Sequence, residues 1–303
     1  MNLTLKRFSF QSMGSHCEIQ IYDQSRVNAK NLTRRLVAEA LRIEKKYSSE
    51  IRKSFVSEIN LSAGNKLGIK IDRETKTLFN HALDCFEKSD GLYDITACSL
   101  DEIWNFDSQK LPGKSEIEAL LPHIGLHKLK WRGSRLYLPS NMRIDFGQIF
   151  KEYAVDTLAK LGRDLGVQHG LVNLGGDFAI IGAQPNNQPW TVGIANPQIP
   201  NALLAKIDLL SGGVATSGDF ADSFLLEGKP HTAILNPKTG HPCNTGLRAI
   251  SVVAERCTSA GFLARSSVLL DEKRALEQLS DAKVAFAAMD KNGQIQGSGV
   301  QVI

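Results

Sequence analysis

Apolar and polar residues alternate over residues 8–22, on either side of Met13-Gly14, and predict a strand hairpin at the start of the fold. The period then lengthens. Leu32, Leu36, Val37, Ala40, Leu41 and Ile43 recur at helical spacing and predict an amphipathic helix over 31–47. Polar turns are expected through 54–60 and at Ala63-Gly64-Asn65, then a second long helix over 73–90 ended by Asp90-Gly91. Residues 92–100 read as an extended segment, and Trp104 with Phe106 as rings packed into a core. A short helix over 115–121, with Ser115 as its N-cap, precedes two strands at 129–131 and 136–138 joined through Gly133.

The stretch 144–177 is the most informative. Asp145 is expected to close a strand, Gly147 to turn the backbone, and Lys151 to sit in the first turns of a helix. That helix shows Ile149, Tyr153, Ala154, Leu158 and Leu161 close to a 3.6-residue period. A short strand at Leu171-Val172 then runs into Asn173-Leu174-Gly175-Gly176-Asp177, where glycines let backbone amides approach a ligand. Two polar turns at one edge of an α/β layer suit a phosphate-bearing ligand. Further strands are expected at 178–181, 190–194, 204–210, 213–215 and 251–254, helices at 259–270 and 273–279, and a last hairpin at Asn292-Gly293. Long helices mixed with adjacent strand pairs predict an α+β fold. It is read as a single unit, or as two closely packed subdomains of about 1–140 and 141–303.

Composition acts mainly by exclusion. Among 303 residues, 36 Lys and Arg face 32 Asp and Glu, and the net charge of +4 is spread without a long basic run. Nucleic acid is therefore not an expected partner. No window of about 18 apolar residues exists, so membrane insertion is not expected. Five cysteines, an odd number without C-x-x-C spacing, point away from a zinc site or a disulfide framework. With no apolar run near Met1 long enough for a signal peptide, a cytoplasmic location is the expectation.

Four places concentrate polar groups on expected turns. Asp94 and Thr96 lie close together, Asp145 and Lys151 offer a carboxylate and an ammonium, and Gly175, Gly176 and Asp177 form a glycine turn. Thr216, Ser217, Gly218 and Asp219 supply two hydroxyls and backbone amides, as anion-binding loops do. Taken singly, each has a plain structural reading: a loop, a tight bend, a salt bridge between Asp145 and Lys151. His231, before the apolar residues 233–235 and the turn 236–240, is either a strand-edge histidine or a base. There is no P-loop and no G-x-S-x-G elbow.

The order of the pieces is more specific than any one of them. From about residue 10 to 288 the chain resembles the FAD:protein FMN transferase family, also called the ApbE or thiamine-biosynthesis-lipoprotein-like family. Met13-Gly14-Ser15 stands where that family has M-G-T, residues 54–60 match S-x-x-S-x-x-N, and residues 90–96 match G-x-F-D-x-T. Residues 174–177, 190–197, 216–219 and 236–240 follow in the expected order and spacing. The resemblance implies an ApbE-like, T-fold-like architecture with a flavin-nucleotide cleft. It implies binding of FAD, with Mg²⁺ on the pyrophosphate. FMN is then transferred to a Ser or Thr hydroxyl of a partner flavoprotein and AMP leaves. The flavin-binding positions it implies are Met13, Asp94, Thr96, Asp145, Lys151, Gly175, Gly176, Asp177, Thr216, Ser217, Gly218, Asp219 and, on a position of altered identity, Arg265.

The departures matter as much. The family's D-x-G-G-I-A-K-G keeps Asp145, Gly147 and Lys151, but Gln148, Phe150 and Glu152 replace small residues. Its A-D-A-L-A-T becomes residues 260–265, where Gly261 removes a carboxylate ligand and Arg265 replaces a threonine ligand with a cation. Mg²⁺ requires oxygen ligands, so its site is expected to be lost, leaving no metal. The family's histidine and aspartate fall on Ala233 and Asn236, leaving His231, two residues earlier, as the one substitute base. The aromatic position expected to stack on the flavin is Glu50, with Tyr47 nearby. The expectation is a flavin-nucleotide-binding family member with lost or strongly impaired Mg²⁺-dependent FMN transfer. The alternatives are an active transferase using displaced residues and a non-catalytic interaction partner of a flavoprotein. Arg265 has two open readings: it pairs directly with phosphate in place of the metal, or it bridges to Asp145 or Asp219 and fills an emptied site.

Overall fold

A computed structural model describes residues 3–104, 111–147, 149–196, 198–199, 202–218, 223–226, 229–232, 234–243 and 246–303. The chain divides into two units, each discontinuous in sequence. The first comprises residues 1–45, 150–218 and 246–303, the second residues 46–149 and 219–245. One cut near residue 140 does not describe this division, because the first 45 residues and the segment 219–245 each belong with the opposite half.

The first unit opens on β1 (Thr4–Ser12) and β2 (Ser15–Asp23), followed by α1 (Arg26–Tyr47). The second unit carries α2 (Phe55–Leu61), β3 (Ile69–Lys70), α3 (Arg73–Lys88), α4 (Lys114–Leu120), β4 (Lys130–Arg132) and β5 (Arg135–Tyr137). The chain then returns to the first unit with α5 (Phe150–Asp164), β6 (Gly170–Leu174), β7 (Asp177–Gly182), β8 (Trp190–Ala195), β9 (Leu203–Leu209) and β10 (Gly213–Gly218). A hairpin of β11 (Ser223–Leu226) and β12 (Lys229–Thr232) lies in the second unit. The first unit is completed by β13 (Leu247–Ala254), α6 (Cys257–Val268), α7 (Glu272–Asp281), β14 (Ala285–Asp290), β15 (Ile295–Ser298) and β16 (Gln301–Val302).

In the first unit eight antiparallel strands run in the order β1-β2-β6-β7-β10-β13-β14-β15. The alternating side chains of such strands face opposite sides, and here both sides are covered. Leu171, Ile180 and Val214 pack against Trp190, Val192, Ile207 and Leu209 of the smaller sheet β16-β9-β8. On the other side α5 lies along β6 and β7, while α6 lies along β10 and β13. Ala154, Val155, Leu158 and Ala159 form the buried stripe of α5, shifted from the expected face toward Val155 and Ala159. In the second unit Phe79, Tyr47 and Phe146 meet edge to face, and Leu100, Trp104, Ile117 and Ile124 form another cluster. Among the described residues no helix is long and apolar enough to cross a membrane.

Four local expectations are corrected. Residues 54–60 are not turns: Ser54 caps α2, its Oγ accepting from the Ser57 amide at 3.0 Å. Residues 92–100 are not extended, because the Asp94 carboxylate captures the Thr96 amide and the chain tightens into a 3₁₀ turn at Ala97–Glu102. Gly113, not Ser115, caps α4, and Glu116 Oε2 accepts from the Gly113 amide at 2.7 Å. Asp145 closes no strand; it sits in coil, its amide donating to the Ile95 carbonyl at 2.8 Å. Phe106 lies outside the described residues, whereas Trp104 is buried.

Candidate functional site

The β1–β2 hairpin turns through Met13 and Gly14, both with positive φ (54° and 65°), the arrangement that matches strand twist in a two-residue turn. Glu44 of α1 secures it, taking the Met13 amide at 2.7 Å and the Ser12 hydroxyl at 2.8 Å. The β6–β7 turn lies against this hairpin, with the Gly175 amide donating to the His16 carbonyl at 3.2 Å. A Cβ on Gly175 would come within 2.7 Å of Ser15 Cβ and 3.9 Å of Lys151 Nζ, so glycine is needed there for closeness as well as for φ. Gly176, by contrast, faces open space.

Lys151, on the first turn of α5, pairs with Asp177 at 3.1 Å. The other Asp177 oxygen accepts the Thr216 amide at 3.3 Å, and Thr216 Oγ1 lies 2.7 Å from Ser251 Oγ. Thr216, Ser217 and Gly218 therefore end a strand rather than form a turn, held in register by Ser251, Ile250 and Ala249 of β13. Burial raises the Asp177 carboxyl pKa against the pull of Lys151. Burial acts the other way on Lys151, but the Asp177 and Glu152 carboxylates outweigh it and raise the ammonium. Burial also lifts the Cys257 thiol well above its ordinary range, which leaves it a thiol donating to the Val214 carbonyl.

Glu152 follows Lys151 on α5, and its side chain lies on Gly261 of α6. A Cβ built on Gly261 would meet Glu152 Oε1 at 2.7 Å, Cγ at 2.8 Å and Cδ at 3.0 Å. Glu152 Oε2 and Arg265 Nε are both buried without a hydrogen-bond partner. Burial and then the Asp177 charge push the Glu152 carboxyl up to about 8, with Lys151 and Arg265 opposing. In the unfolded chain the same carboxyl titrates near its ordinary value. Its contribution to stability is therefore full at low pH and is lost as pH rises to about 8. The Tm of Glu152→Gln minus that of the parent protein should climb from about pH 5 to about pH 8 and then level. A gap constant across that range, by calorimetry, would contradict it.

In the second unit Asp94 and Thr96 serve one another. Asp94 Oδ1 accepts from the Thr96 amide at 2.8 Å and hydroxyl at 2.7 Å, and Oδ2 from the Leu126 amide at 3.2 Å. Thr96 Oγ1 in turn accepts from the Gly125 amide at 2.7 Å. Asp94 also lines a cavity of about 360 Å³ with Phe86, Gly91, Gly125, His127 and Lys238. Asp145 takes the Ser49 hydroxyl at 3.0 Å and the Gly147 amide at 2.7 Å. Tyr47 is fully buried, its hydroxyl 3.0 Å from Thr75 Oγ1, so its ring is core and presents no face for stacking. His231 lies within β12, opposite Phe224. Asp219 lies outside the described residues.

Of the residues singled out in the sequence, Met13, Lys151, Gly175, Gly176, Asp177, Thr216, Ser217, Gly218 and Arg265 belong to the first unit. Asp94, Thr96, Asp145 and His231 belong to the second. Lys151 forms its ion pair with Asp177. The Arg265 charge acts on the Glu152 carboxyl. Glu152 is the residue sequence reasoning undervalued: it appears only as an intruding side chain in a glycine motif. The signal was reciprocal, a carboxylate gained at 152 and one lost at 261.

Comparison with known proteins gives a consistent picture. The sequence profile of the ApbE family matches residues 13–289. The FAD:protein FMN transferase of Salmonella typhimurium is 30% identical over 223 residues, 70% of this chain. That match spans 64% of the Salmonella protein's own length. The FAD:protein FMN transferase of Haemophilus influenzae is 25% identical over 89% of this chain and 82% of its own. The crystal structure of the ApbE protein of Thermotoga maritima superposes with a TM-score of 0.88 at 27% identity, covering 97% of both chains. The apo flavinyl transferase ApbE of Pseudomonas stutzeri, at 24% identity and a TM-score of 0.85, shares the fold over 97% of this chain and 95% of its own.

Proposed function

Because this chain belongs to the ApbE family, we propose that it binds FAD but transfers FMN to a partner flavoprotein feebly or not at all. The observation that carries this reading is the packing of Glu152 on Gly261 beside Arg265. Position 261 offers no side-chain oxygen, and position 265 offers a guanidinium. Two carboxylates, Glu152 and Asp177, face two cations, Lys151 and Arg265. Their charges cancel when Glu152 is ionised and leave a net cation when it carries its proton. In neither state is there spare negative charge for Mg²⁺, which needs anionic oxygen ligands. The residues of this site therefore do not suit the ion.

An anionic nucleotide suits them better. Gly176 leaves an open approach, Lys151 is partly exposed and Arg265 carries an unpaired donor. A guanidinium and an ammonium together match phosphate oxygens. When bound, FAD would supply the pyrophosphate whose cleavage releases AMP. The residues of this chain would hold that group, with Arg265 and Lys151 balancing its charge. The candidate base for the acceptor hydroxyl is His231, since the family's histidine position holds Ala233. A cytoplasmic location is part of the proposal and rests on five cysteines that form no disulfide.

The test is direct. Purified protein, FAD, Mg²⁺ and a flavin-acceptor protein should leave covalent fluorescent FMN on the acceptor at a rate about 10²–10⁴ below that of an active relative. FAD fluorescence should meanwhile respond to the protein equally with and without EDTA. Transfer at the relative's rate would defeat the proposal. No FAD response at all would favour a non-catalytic partner of a flavoprotein.

A further inference from the structure

We infer that Glu152 and Gly261 form a reciprocal pair: the carboxyl group of this site is delivered from α5 instead of α6, filling the space over Gly261 and leaving Arg265 on α6 as the site's resident cation. This inference rests on the proposed reading of the site as one that takes a phosphate group without a divalent ion.

Three observations carry it. First, the space beside Gly261 is occupied. The three heavy atoms nearest to a Cβ at this position all belong to Glu152, the first 2.7 Å away, so any residue larger than glycine competes with that side chain. Second, one oxygen of the occupant is left unsatisfied by the fold. Glu152 Oε2 is buried with no hydrogen-bond partner, and so is Arg265 Nε. Buried polar groups are almost always hydrogen-bonded, and an unmade bond on each of two buried polar groups of one site asks for an explanation. Third, neither group is needed to anchor its helix. The amides at the start of α6 are taken by Asp156, and α5 and α6 already pack on the sheet through their apolar faces.

With Glu152 covering Gly261 and no hydrogen bond spent on Arg265 Nε, the guanidinium keeps a donor for a ligand. Arg265 then offers a phosphate oxygen what a metal ion would otherwise offer, a localised positive charge, through N–H donors instead of open coordination positions. The consequence is that positions 152, 261 and 265 act as one unit. Converting any one of them alone leaves a clash or an unbalanced charge. A Gly261→Asp change alone would set two carboxyl groups in one space and would not create a metal site.

The experiment is a double-mutant cycle on the full chain, read by thermal unfolding. Gly261→Ala should lower Tm by a few degrees in the parent protein and leave it almost unchanged in the Glu152→Gly background. Equal losses in both backgrounds would overturn the pairing. Should Glu152→Gly fail to fold, Glu152→Ala serves in its place. Mn²⁺, followed by the loss of its free EPR signal, supplies the second measurement. The parent protein and Gly261→Asp should leave the signal intact, whereas Glu152→Gly/Gly261→Asp/Arg265→Thr should deplete it. Mn²⁺ depletion by the parent protein, or none by the triple variant, would overturn the inference. FAD binding is scored separately. Coupling without FAD binding would sustain the pair and remove the functional reading, and FAD binding without coupling would do the opposite.

Discussion

Asp156→Ala is expected to cost about 2–4 kcal/mol of stability, measured by urea unfolding, and to weaken FAD binding in parallel. The first residues of α6 have no cap of their own, since Arg256 at the N-cap makes no side-chain bond. Asp156, projecting from α5, supplies it from outside. Its Oδ1 accepts the Cys257 amide at 2.8 Å, and its Oδ2 accepts the Thr258 amide at 3.0 Å and hydroxyl at 2.9 Å. Three donors lose a charged acceptor together in the variant, and the positive end of the helix dipole loses its counter-charge. Because α6 carries both Gly261 and Arg265, loosening its first turn also blurs the position of the guanidinium. Asp156→Asn should recover part of the stability, because an amide oxygen can still cap. If alanine there costs less than about 0.5 kcal/mol, the helix does not depend on its neighbour for capping.

Gly213→Ala should be at least as damaging, by about 3 kcal/mol. A Cβ at this strand position would lie 2.7 Å from the Cys257 nitrogen, 2.8 Å from the Phe178 carbonyl oxygen and 2.9 Å from Cys257 Cα. All three are backbone atoms and cannot swing aside, so β10 must part from β7 or α6 must lift off the sheet. Gly133→Ala is the informative control. Nothing lies within 4 Å of its added methyl, and only the positive φ of 60° is strained, so about 1 kcal/mol is expected. Similar unfolding midpoints for the two variants would mean that the α6–β10 contact is looser than described.

The hairpins and long helices were readable because their signals are local. Met13-Gly14, Gly133 and Asn292-Gly293 each mark a turn by residue type, and α1 and α3 carry clear apolar stripes. The α+β class and the family resemblance followed from the order of such pieces. What escaped depended on partners distant in sequence. Thr216-Ser217-Gly218 looks like a loop until Ser251, Ile250 and Ala249 of β13 pair with it. Residues 92–100 alternate like a strand, but Asp94 and Thr96 spend their polar groups on one another and on the amides of Gly125 and Leu126. The interleaving of the two units leaves no mark in composition at all. At the site, Lys151 and the glycine pair were legible from spacing, whereas the role of Glu152 needed the approach of α5 to α6. Helical periodicity says which residues point away from the sheet. It does not say which neighbouring glycine they will cover.

The sheet order has a consequence for biosynthesis. Strand β13, at residues 247–254, lies between β10 and β14, and both β13 and β14 come from the last fifth of the chain. While the ribosome is still translating that portion, β1-β2-β6-β7-β10 ends in a bare edge whose amides and carbonyls have no mate. Nascent edges of this kind invite pairing with other polypeptides. The arrival of β13 is then the event that covers this edge, and premature termination before residue 247 would yield an aggregation-prone fragment rather than a smaller working protein.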